Sequence, residues 1–398
     1  MKYLRYGFVQ FCRNFSLYII MIAELSVIML ALNIAIGSYN SRNMLYKPFE
    51  QYLTRDGWYM RSADMNYTEE PGNDKLYEII NSLEGDYEMV ASYSSTVTSE
   101  VGDLRLTILN DDLYYALCMP LEEGDYAQAV VTHNPHFKLG DTVRLGSTEL
   151  TISGVLTENT YVPDISGYNI DMDVTDFYNV FQSNAQLVQL NEGEKPTPIL
   201  ILPQSTVQSE IDKNLNNGIY QSFYYFVVCR TELTEKQREH NTEILNENSI
   251  DIVYMPFSII NKRSEIYVNE SLQKVIPIIV CISIIAVFGI LCCCSINVSR
   301  SMRNNAVLYV CGASNRDLRI INAVSDFLVV SASLVISITV LKIISLNGAD
   351  DSIGFVLGNN NIFVTAVFVV SVFIITQVVS YCVFKKKTAR SILVAGGF

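Results

Sequence analysis

The sequence predicts a membrane protein with four transmembrane α-helices, one followed by three, and an α+β extracytoplasmic domain between the first and second helices. Apolar residues make up 49% of the chain and charged residues only 17%, whereas soluble domains average about 25% charged residues. The charge is also unevenly divided. Positions 38–274 hold 16 basic and 36 acidic residues, a net charge of −20, and the rest of the chain carries +7 of the total −13. An acidic body is therefore joined to a basic, apolar part.

Four segments are long and apolar enough to cross a bilayer, which takes about 20 helical residues. The first is expected to remain as an anchor because its apolar stretch exceeds the roughly 7–15 residues of a signal-peptide core. The predicted organisation is an amphipathic segment with the first helix (1–37), an extracytoplasmic domain (38–273), and a three-helix part (274–398) with a cytoplasmic loop at 298–319. The spans are Ser16–Gly37, Val275–Asn297, Ile320–Leu346 and Ile362–Phe384.

Basic residues predict the orientation, because Lys and Arg are enriched in cytoplasmic segments. The N-terminal segment, the 298–319 loop and the C-terminal tail are all basic, whereas the two charges in the 347–361 loop are both Asp. We therefore expect both termini and the 298–319 loop to be cytoplasmic and residues 38–273 to lie outside.

Two acidic residues, Glu24 and Asp326, fall inside predicted spans. Charged groups at such positions are costly and often functional, so both are candidate intramembrane polar residues. The alternative is that they are packed, hydrogen-bonded groups between helices.

The extracytoplasmic domain is predicted to be α+β with a mixed sheet. Alternating and β-branched stretches separated by turn residues predict strands at 129–132, 142–145, 149–156, 197–202, 220–229 and 251–255. Apolar spacing and a Thr234 N-cap predict helices at 74–83, 234–248 and 258–274, the last continuing into the second span.

No catalytic residue, cofactor site or metal site is predicted. His133 and His136 are interpreted as part of a polar turn, since a metal site needs further ligands. Cys118 and Cys229 either form one disulfide or remain two buried thiols. The acidity disfavours nucleic acid as a partner. Because the sequence lacks a G-x-x-x-x-G-K-[ST] loop, we expect no ATP hydrolysis by this chain.

The cytoplasmic loop is the most informative stretch and reads SRSMRNNAVLYVCGASNRDLRII. A short helix is predicted over Arg303–Val310, with Ala306, Val307 and Val310 on one face, and Gly312 is expected to end it. Ser314 can begin the next helix, with Asp317 three residues later completing a capping-box-like pair. Two helices joined by a tight turn at the inner membrane surface suit docking on a soluble partner. The alternative is a connector whose Arg residues meet lipid phosphates.

This loop resembles that of the FtsX-like/MacB-type permeases of ABC transporters. Ala306-Val307-Leu308 and Gly312-Ala313-Ser314 match the family's loop in content and spacing, and Leu139–Leu145 followed by Ile152–Leu156 is similar to a MacB-type outer-domain pattern. The one-plus-three arrangement of spans is also the family's layout. By this resemblance the ATPase-coupling residues are Arg300, Arg303, Ala306, Val307, Leu308, Gly312, Ala313, Ser314 and Arg316.

The resemblance implies a multi-pass chain of a bacterial plasma membrane that works with a separate ABC-type ATPase and a second permease chain, as a homodimer or heterodimer. It implies that the loop touches the ATPase and that stalk helices and outer domain move, for export or extraction of a peptide or lipid-like substrate. The alternatives are an ATPase-driven mechanotransmitter regulating a cell-wall hydrolase and a membrane-anchored receptor without an ATPase.

Overall fold

The computed structural model describes residues 2–63, 71–99, 102–157, 160–163, 172–180, 198–214, 224–347 and 358–385, and inside these ranges some side chains lie outside the description. The chain divides into two compact units. The helical unit comprises Met1–Ser41 and Glu270–Phe398, and the α+β unit comprises Arg42–Asn269.

The elements are as follows, in chain order. The helices are α1 (Lys2–Arg13), α2 (Phe15–Leu53), α3 (Pro71–Ser82), α4 (Asp111–Ala116), α5 (Gln204–Asn214), α6 (Glu235–Glu247), α7 (Phe257–Val310), α8 (Asn315–Asn347) and α9 (Asn359–Lys385). The strands are β1 (Gly57–Ser62), β2 (Tyr87–Ala91), β3 (Tyr93–Ser99), β4 (Gly102–Leu109), β5 (Leu121–Gly124), β6 (Ala129–Val131), β7 (Thr142–Leu145), β8 (Thr148–Leu156), β9 (Tyr161–Pro163), β10 (Tyr178–Val180), β11 (Ile199–Pro203), β12 (Tyr224–Cys229) and β13 (Ile252–Pro256). A 3₁₀ helix spans Val174–Phe177.

The α+β unit contains two main sheets. The smaller sheet has the order β13-β1-β12-β2 with antiparallel neighbours. The larger has the order β3-β4-β11-β6-β8-β5, with β7 also paired to β8. It is mixed, because β11 is parallel to β4 and β6 is parallel to β8. A short β9-β10 pair lies apart from both. The predicted α+β class with a mixed sheet is therefore confirmed.

The predicted strands and helices of this unit are found with small shifts of their described ends, and positions 197 and 220–223 of two predicted strands lie outside the described residues. Thr234 caps α6 in a capping box with Gln237. Strands before position 125 were not predicted, and neither were α4 and α5. In β1, which reads GWYMRS, four consecutive residues from Gly57 to Met60 are buried, so the strand lacks a clean period. Burial on both faces removes the alternation on which a strand prediction depends. By contrast β4, which reads GDLRLTIL, does alternate, and its signal was missed.

Three described helices are long and apolar enough to cross a membrane: Phe15–Leu53, Arg316–Ile343 and Asn359–Cys382. They correspond to the predicted first, third and fourth spans. The predicted second span, Val275–Asn297, lies within α7, where many side chains are outside the described set. The membrane class is supported at this level, and the count of four spans stays a prediction.

In the helical unit, α2 and α8 run parallel and α9 runs antiparallel to them. Serine side chains of α8 form hydrogen bonds to the backbone of α2. Ser333 Oγ donates to Ile22 O at 3.3 Å, and Ser337 Oγ donates to Ser26 O at 3.1 Å. Small residues let helices approach closely in a bilayer and satisfy their own hydroxyls on neighbouring carbonyls. An apolar cluster that includes Tyr18, Leu25, Val329 and Val372 fills the space between the three helices.

Candidate functional site: the coupling turn and its supports

The turn between α7 and α8 ends the first helix with a glycine cap. Gly312 has φ +93°, the left-handed conformation that a side chain disfavours. The Ala313 N–H donates to Leu308 O at 2.9 Å, the long-range bond of a Schellman motif. The stop predicted at Gly312 is therefore confirmed. The predicted short helix Arg303–Val310 is not a separate element, however, because these residues form the last turns of the 54-residue α7.

The same turn begins α8 with a capping box. Ser314 N–H and Ser314 Oγ donate to Asp317 Oδ2 at 2.8 and 2.7 Å, and Asp317 N–H donates back to Ser314 Oγ at 3.3 Å. With both helix ends capped, the backbone between Val310 and Asn315 has a defined conformation. This rigidity is what a docking element needs, because little order has to be gained on binding.

The predicted coupling residues differ in exposure. Ala306 is buried, whereas Val307 is 45% exposed and Val310 is 64% exposed beside the turn. Gly312, Ser314 and Arg316 are exposed, and Leu308 and Ala313 are half-buried. The side chains of Arg300 and Arg303 lie outside the described residues. The geometry thus presents valine side chains and a tight turn together at one end of the helical unit.

Helix α1 supports this turn. Tyr3 Oη donates to Asp317 Oδ1 at 2.7 Å, and Gln10 Nε2 donates to Asn322 Oδ1 at 2.6 Å. Gly7 allows the closest approach, since a Cβ there would lie 2.5 Å from Val324 Cγ1. These contacts were not predicted, because nothing in the spacing of α1 shows which later helix it meets.

Glu24 and Asp326, the predicted intramembrane polar residues, lie at different helix interfaces. Glu24 faces α7, where a Cβ on Gly289 would be 2.6 Å from its Oε2, and among the described residues that oxygen has no hydrogen-bond partner. Asp326 is 5% exposed and its Oδ2 accepts a hydrogen bond of 3.2 Å from Gln377 Nε2 on α9. The two carboxyl groups therefore belong to separate contacts and form no dyad among the described residues.

A buried network of amides joins α2 to α9. Asn361 Nδ2 donates to Asn33 O and Oδ1 at 3.0 and 3.1 Å, and Asn33 Nδ2 donates to Thr365 Oγ1 at 2.8 Å. Asn361 Oδ1 in turn accepts from Asn40 Nδ2 and from the Gly358 N–H, at 2.8 and 3.1 Å. Asn33 and Asn361 are 5% and 3% exposed. The side-chain amides satisfy each other's hydrogen-bonding groups in a place where water is scarce. The network therefore fixes the register of α2 against α9.

Replacing Asn361 with leucine is expected to loosen this contact. The substitution removes four side-chain hydrogen bonds, and hydrogen bonds in membrane proteins contribute about 0.6 kcal/mol each on average, so a loss of about 2 kcal/mol follows. Unfolding of the full chain in detergent–SDS mixtures, followed by circular dichroism, measures it. Asn359→Leu is the matched control, since Asn359 is exposed on the first turn of the same helix. Equal midpoints for the two variants would contradict the assigned role.

In the α+β unit, an aromatic cluster joins both long helices to the smaller sheet. Phe226 of β12 lies at its centre, with ring centroids 5.8 Å from Phe49 of α2 and 5.5 Å from Phe257 of α7. Phe177 of the 3₁₀ helix lies 5.0 Å from both Phe49 and Phe226. All four rings are completely buried. Because β13 ends at Pro256 and α7 starts at Phe257, sheet and helix connect without a loop.

Next to this cluster, residues 42–53 of α2 and 257–269 of α7 form a two-helix stalk. Arg42 Nη1 donates to Tyr267 O at 2.7 Å, and its guanidinium lies 4.7 Å from the centre of the Tyr267 ring. Tyr46 Oη donates to Asn261 Oδ1 at 2.7 Å. Tyr178 Oη donates to Leu45 O at 3.0 Å, and burial raises the pKa of Tyr178, so this hydroxyl remains a donor. The stalk is therefore held by polar contacts along its length.

The remaining candidates have local roles. His133 Nδ1 lies 2.7 Å from Glu122 Oε2, and within the described ranges no group of three or more potential metal ligands occurs. Cys118 and Cys229 are free thiols, and Cys118 Sγ donates to Met44 O at 3.3 Å. Of the two alternatives left by the sequence, the structure has separate thiols, but only Cys229 is buried and Cys118 is exposed. The Cys292–Cys294 side chains lie outside the described residues.

No protein-family model and no curated protein matches the sequence. Among solved structures, the periplasmic region of MacB from Actinobacillus actinomycetemcomitans is similar at 12% identity and a TM-score of 0.27, covering 56% of this chain and 97% of that one. The extracellular domain of the ABC-type transporter YknZ from Gram-positive bacteria is similar at 11% identity and a TM-score of 0.24, covering 51% of this chain and 98% of that one. TM-scores this low do not establish a common fold.

Proposed function

We propose that this chain is the permease subunit of an ABC transporter complex in a bacterial plasma membrane. A separate ATPase docks on the α7–α8 turn in the cytoplasm, and its ATP cycle moves the extracytoplasmic domain to export or extract a peptide or lipid-like substrate. In this proposal residues 38–273 form a MacB-like outer domain, residues 274–398 form an FtsX-like permease domain, and a second permease chain completes the complex.

The observation that carries the proposal is the doubly capped turn with its exposed valines. Val307 and Val310 are apolar side chains at a helix end that is predicted to be cytoplasmic, where water would otherwise meet them. A rigid turn with an apolar patch fits a protein surface better than a membrane connector, which would need only flexible basic residues. In this proposal the Arg residues around the turn form the polar rim of the interface with the ATPase.

The continuity of α7 supports transmission of movement. It is one helix of 54 residues that begins in the aromatic cluster of the α+β unit and ends at the coupling turn. A helix deforms little along its axis because its turns are hydrogen-bonded. Pro277 lies inside α7 and has no N–H to donate, so one backbone hydrogen bond is missing there, although the helix continues through it. A displacement of the turn can therefore reach β13 without passing through a loop.

The proposal is tested by purifying the tagged full chain from its host in mild detergent and identifying what co-purifies. We expect a P-loop ATPase at about one copy per permease chain, as paired subunits require. Deleting Arg303–Ser314, or replacing both Val307 and Val310 with aspartate, should remove the ATPase while the chain still inserts. Ile250→Asp is the matched control, since Ile250 is 87% exposed in the α+β unit. An ATPase that stays bound to the valine double variant would refute docking at this turn.

The mechanotransmitter alternative is favoured by the same continuous helix, because movement of the outer domain needs no substrate path. The two functions predict different partners. A cell-wall hydrolase captured by the full chain, and released when ATP is removed, would identify mechanotransmission. Stimulation of the bound ATPase by an added peptide would identify transport.

A further inference from the structure

The carboxylate of Asp317 serves two helices at once. Its Oδ2 accepts from the Ser314 N–H and hydroxyl at 2.8 and 2.7 Å, which closes the capping box of α8. Its Oδ1 accepts from Tyr3 Oη of α1 at 2.7 Å. The hydrogen bond to Asp317 raises the pKa of the Tyr3 hydroxyl, so this group remains a donor at neutral pH. The cap of the coupling turn is thus tied to the N-terminal helix by one hydroxyl.

Further contacts make α1 a firm support for this bond. Ser325 Oγ donates to Gly7 O at 2.9 Å, and Gln10 Nε2 donates to Asn322 Oδ1. The polar face of α1 therefore packs on α8, while Leu4 and Phe8 are 63% and 56% exposed on its other side. Because α1 is held along its length, Tyr3 reaches Asp317 from a fixed position.

We propose that Tyr3 is a positioning residue for the coupling turn, through its hydrogen bond to Asp317. The inference deepens the proposed function and rests on it. Asp317 Oδ2 sets the local cap, and Tyr3 sets the direction in which the capped turn points. Tyr3 need not touch the ATPase, since it acts by keeping Ser314 and its neighbours in the orientation that the ATPase meets.

Tyr3→Phe tests this with little risk to folding, since it removes one oxygen from a side chain that is 42% exposed. We expect the co-purified ATPase to keep its ratio to the permease and its KM for ATP, while kcat falls about fivefold, as for the loss of one charge-assisted hydrogen bond partly open to water. Amide hydrogen exchange at residues 313–318 of the full chain should accelerate by about the same factor. Tyr6→Phe is the matched control, because Tyr6 is 48% exposed on the same helix.

Each outcome separates the two ideas. If Tyr3→Phe changes neither kcat nor the exchange of residues 313–318, the positioning role is refuted while the docking proposal stands. If exchange rises but kcat does not, Tyr3 orders the turn without serving the ATPase, which also refutes the role. If no ATPase co-purifies with the unmodified chain, the proposed function fails, and the role of Tyr3 in coupling fails with it.

Discussion

Gly312→Val is expected to uncouple the partner ATPase from this chain while leaving the chain folded and inserted. The left-handed conformation at φ +93° costs a side-chain-bearing residue about 1–2 kcal/mol, and more for a β-branched one. Apart from its two chain neighbours, no described residue has an atom within 4 Å of a Cβ built at Gly312, so the expected effect comes from the backbone conformation. A valine there would shift the turn out of its Schellman geometry, and ATPase co-purification or its stimulated rate should fall about tenfold.

Gly312→Asn is the control for this prediction, since asparagine adopts the left-handed conformation at far lower cost. It should retain most of the ATPase coupling. If Gly312→Val and Gly312→Asn give the same ATPase co-purification and stimulated rate, then the conformation of the turn does not determine ATPase docking.

Phe226→Ala is expected to cause the largest loss of stability in the α+β unit. The Phe226 ring is completely buried and contacts Phe49, Phe177 and Phe257, so its removal leaves a cavity where both long helices meet the smaller sheet. Substitutions of this kind lower the free energy of unfolding by about 3–5 kcal/mol. The variant should also lose any ATP-dependent change in the outer domain, because α2 and α7 no longer have a firm anchor.

The chain contains its own fluorescent probe for measuring the unfolding of the α+β unit. Trp58 is the single tryptophan of the sequence and is 5% exposed in β1, so its fluorescence follows unfolding of the α+β unit in the full chain. Tyr115→Ala is the control, since Tyr115 is 56% exposed. An unfolding midpoint for Phe226→Ala equal to that of the control would contradict the central place given to this ring.

The turn could be predicted from sequence because its signals are local. Gly312 follows a helical stretch, and Ser314 precedes Asp317 by three residues, so both caps are visible within a few positions. The mixed sheet was predicted in part for the same reason, since β7 and β8 alternate and are bounded by turn residues.

The supports of the turn could not be predicted, because they depend on contacts between distant parts of the chain. Tyr3 and Asp317 are 314 residues apart, and Asn33 and Asn361 are 328 apart. Asn33 was visible as a polar residue inside an apolar span, yet nothing in the sequence named its partner. The first helix was also expected to end at Gly37, but α2 continues to Leu53 because the stalk buries its last turns against the α+β unit's own residues.

In the proposed function, α7 carries ATP-driven movement from the turn to the outer domain. Replacing Ser271, Leu272 and Gln273 with three glycines should break this path, since each glycine destabilises a helix by about 1 kcal/mol relative to alanine. The matched variant has three alanines at the same positions and keeps the helix. Hydrogen exchange of β13 and the start of α7 is measured in the full complex with and without ATP. We predict an ATP-dependent change in the natural chain and the alanine variant, and none in the glycine variant, although its ATPase still binds and turns over. An equal change in the glycine variant would show that the movement does not travel through α7.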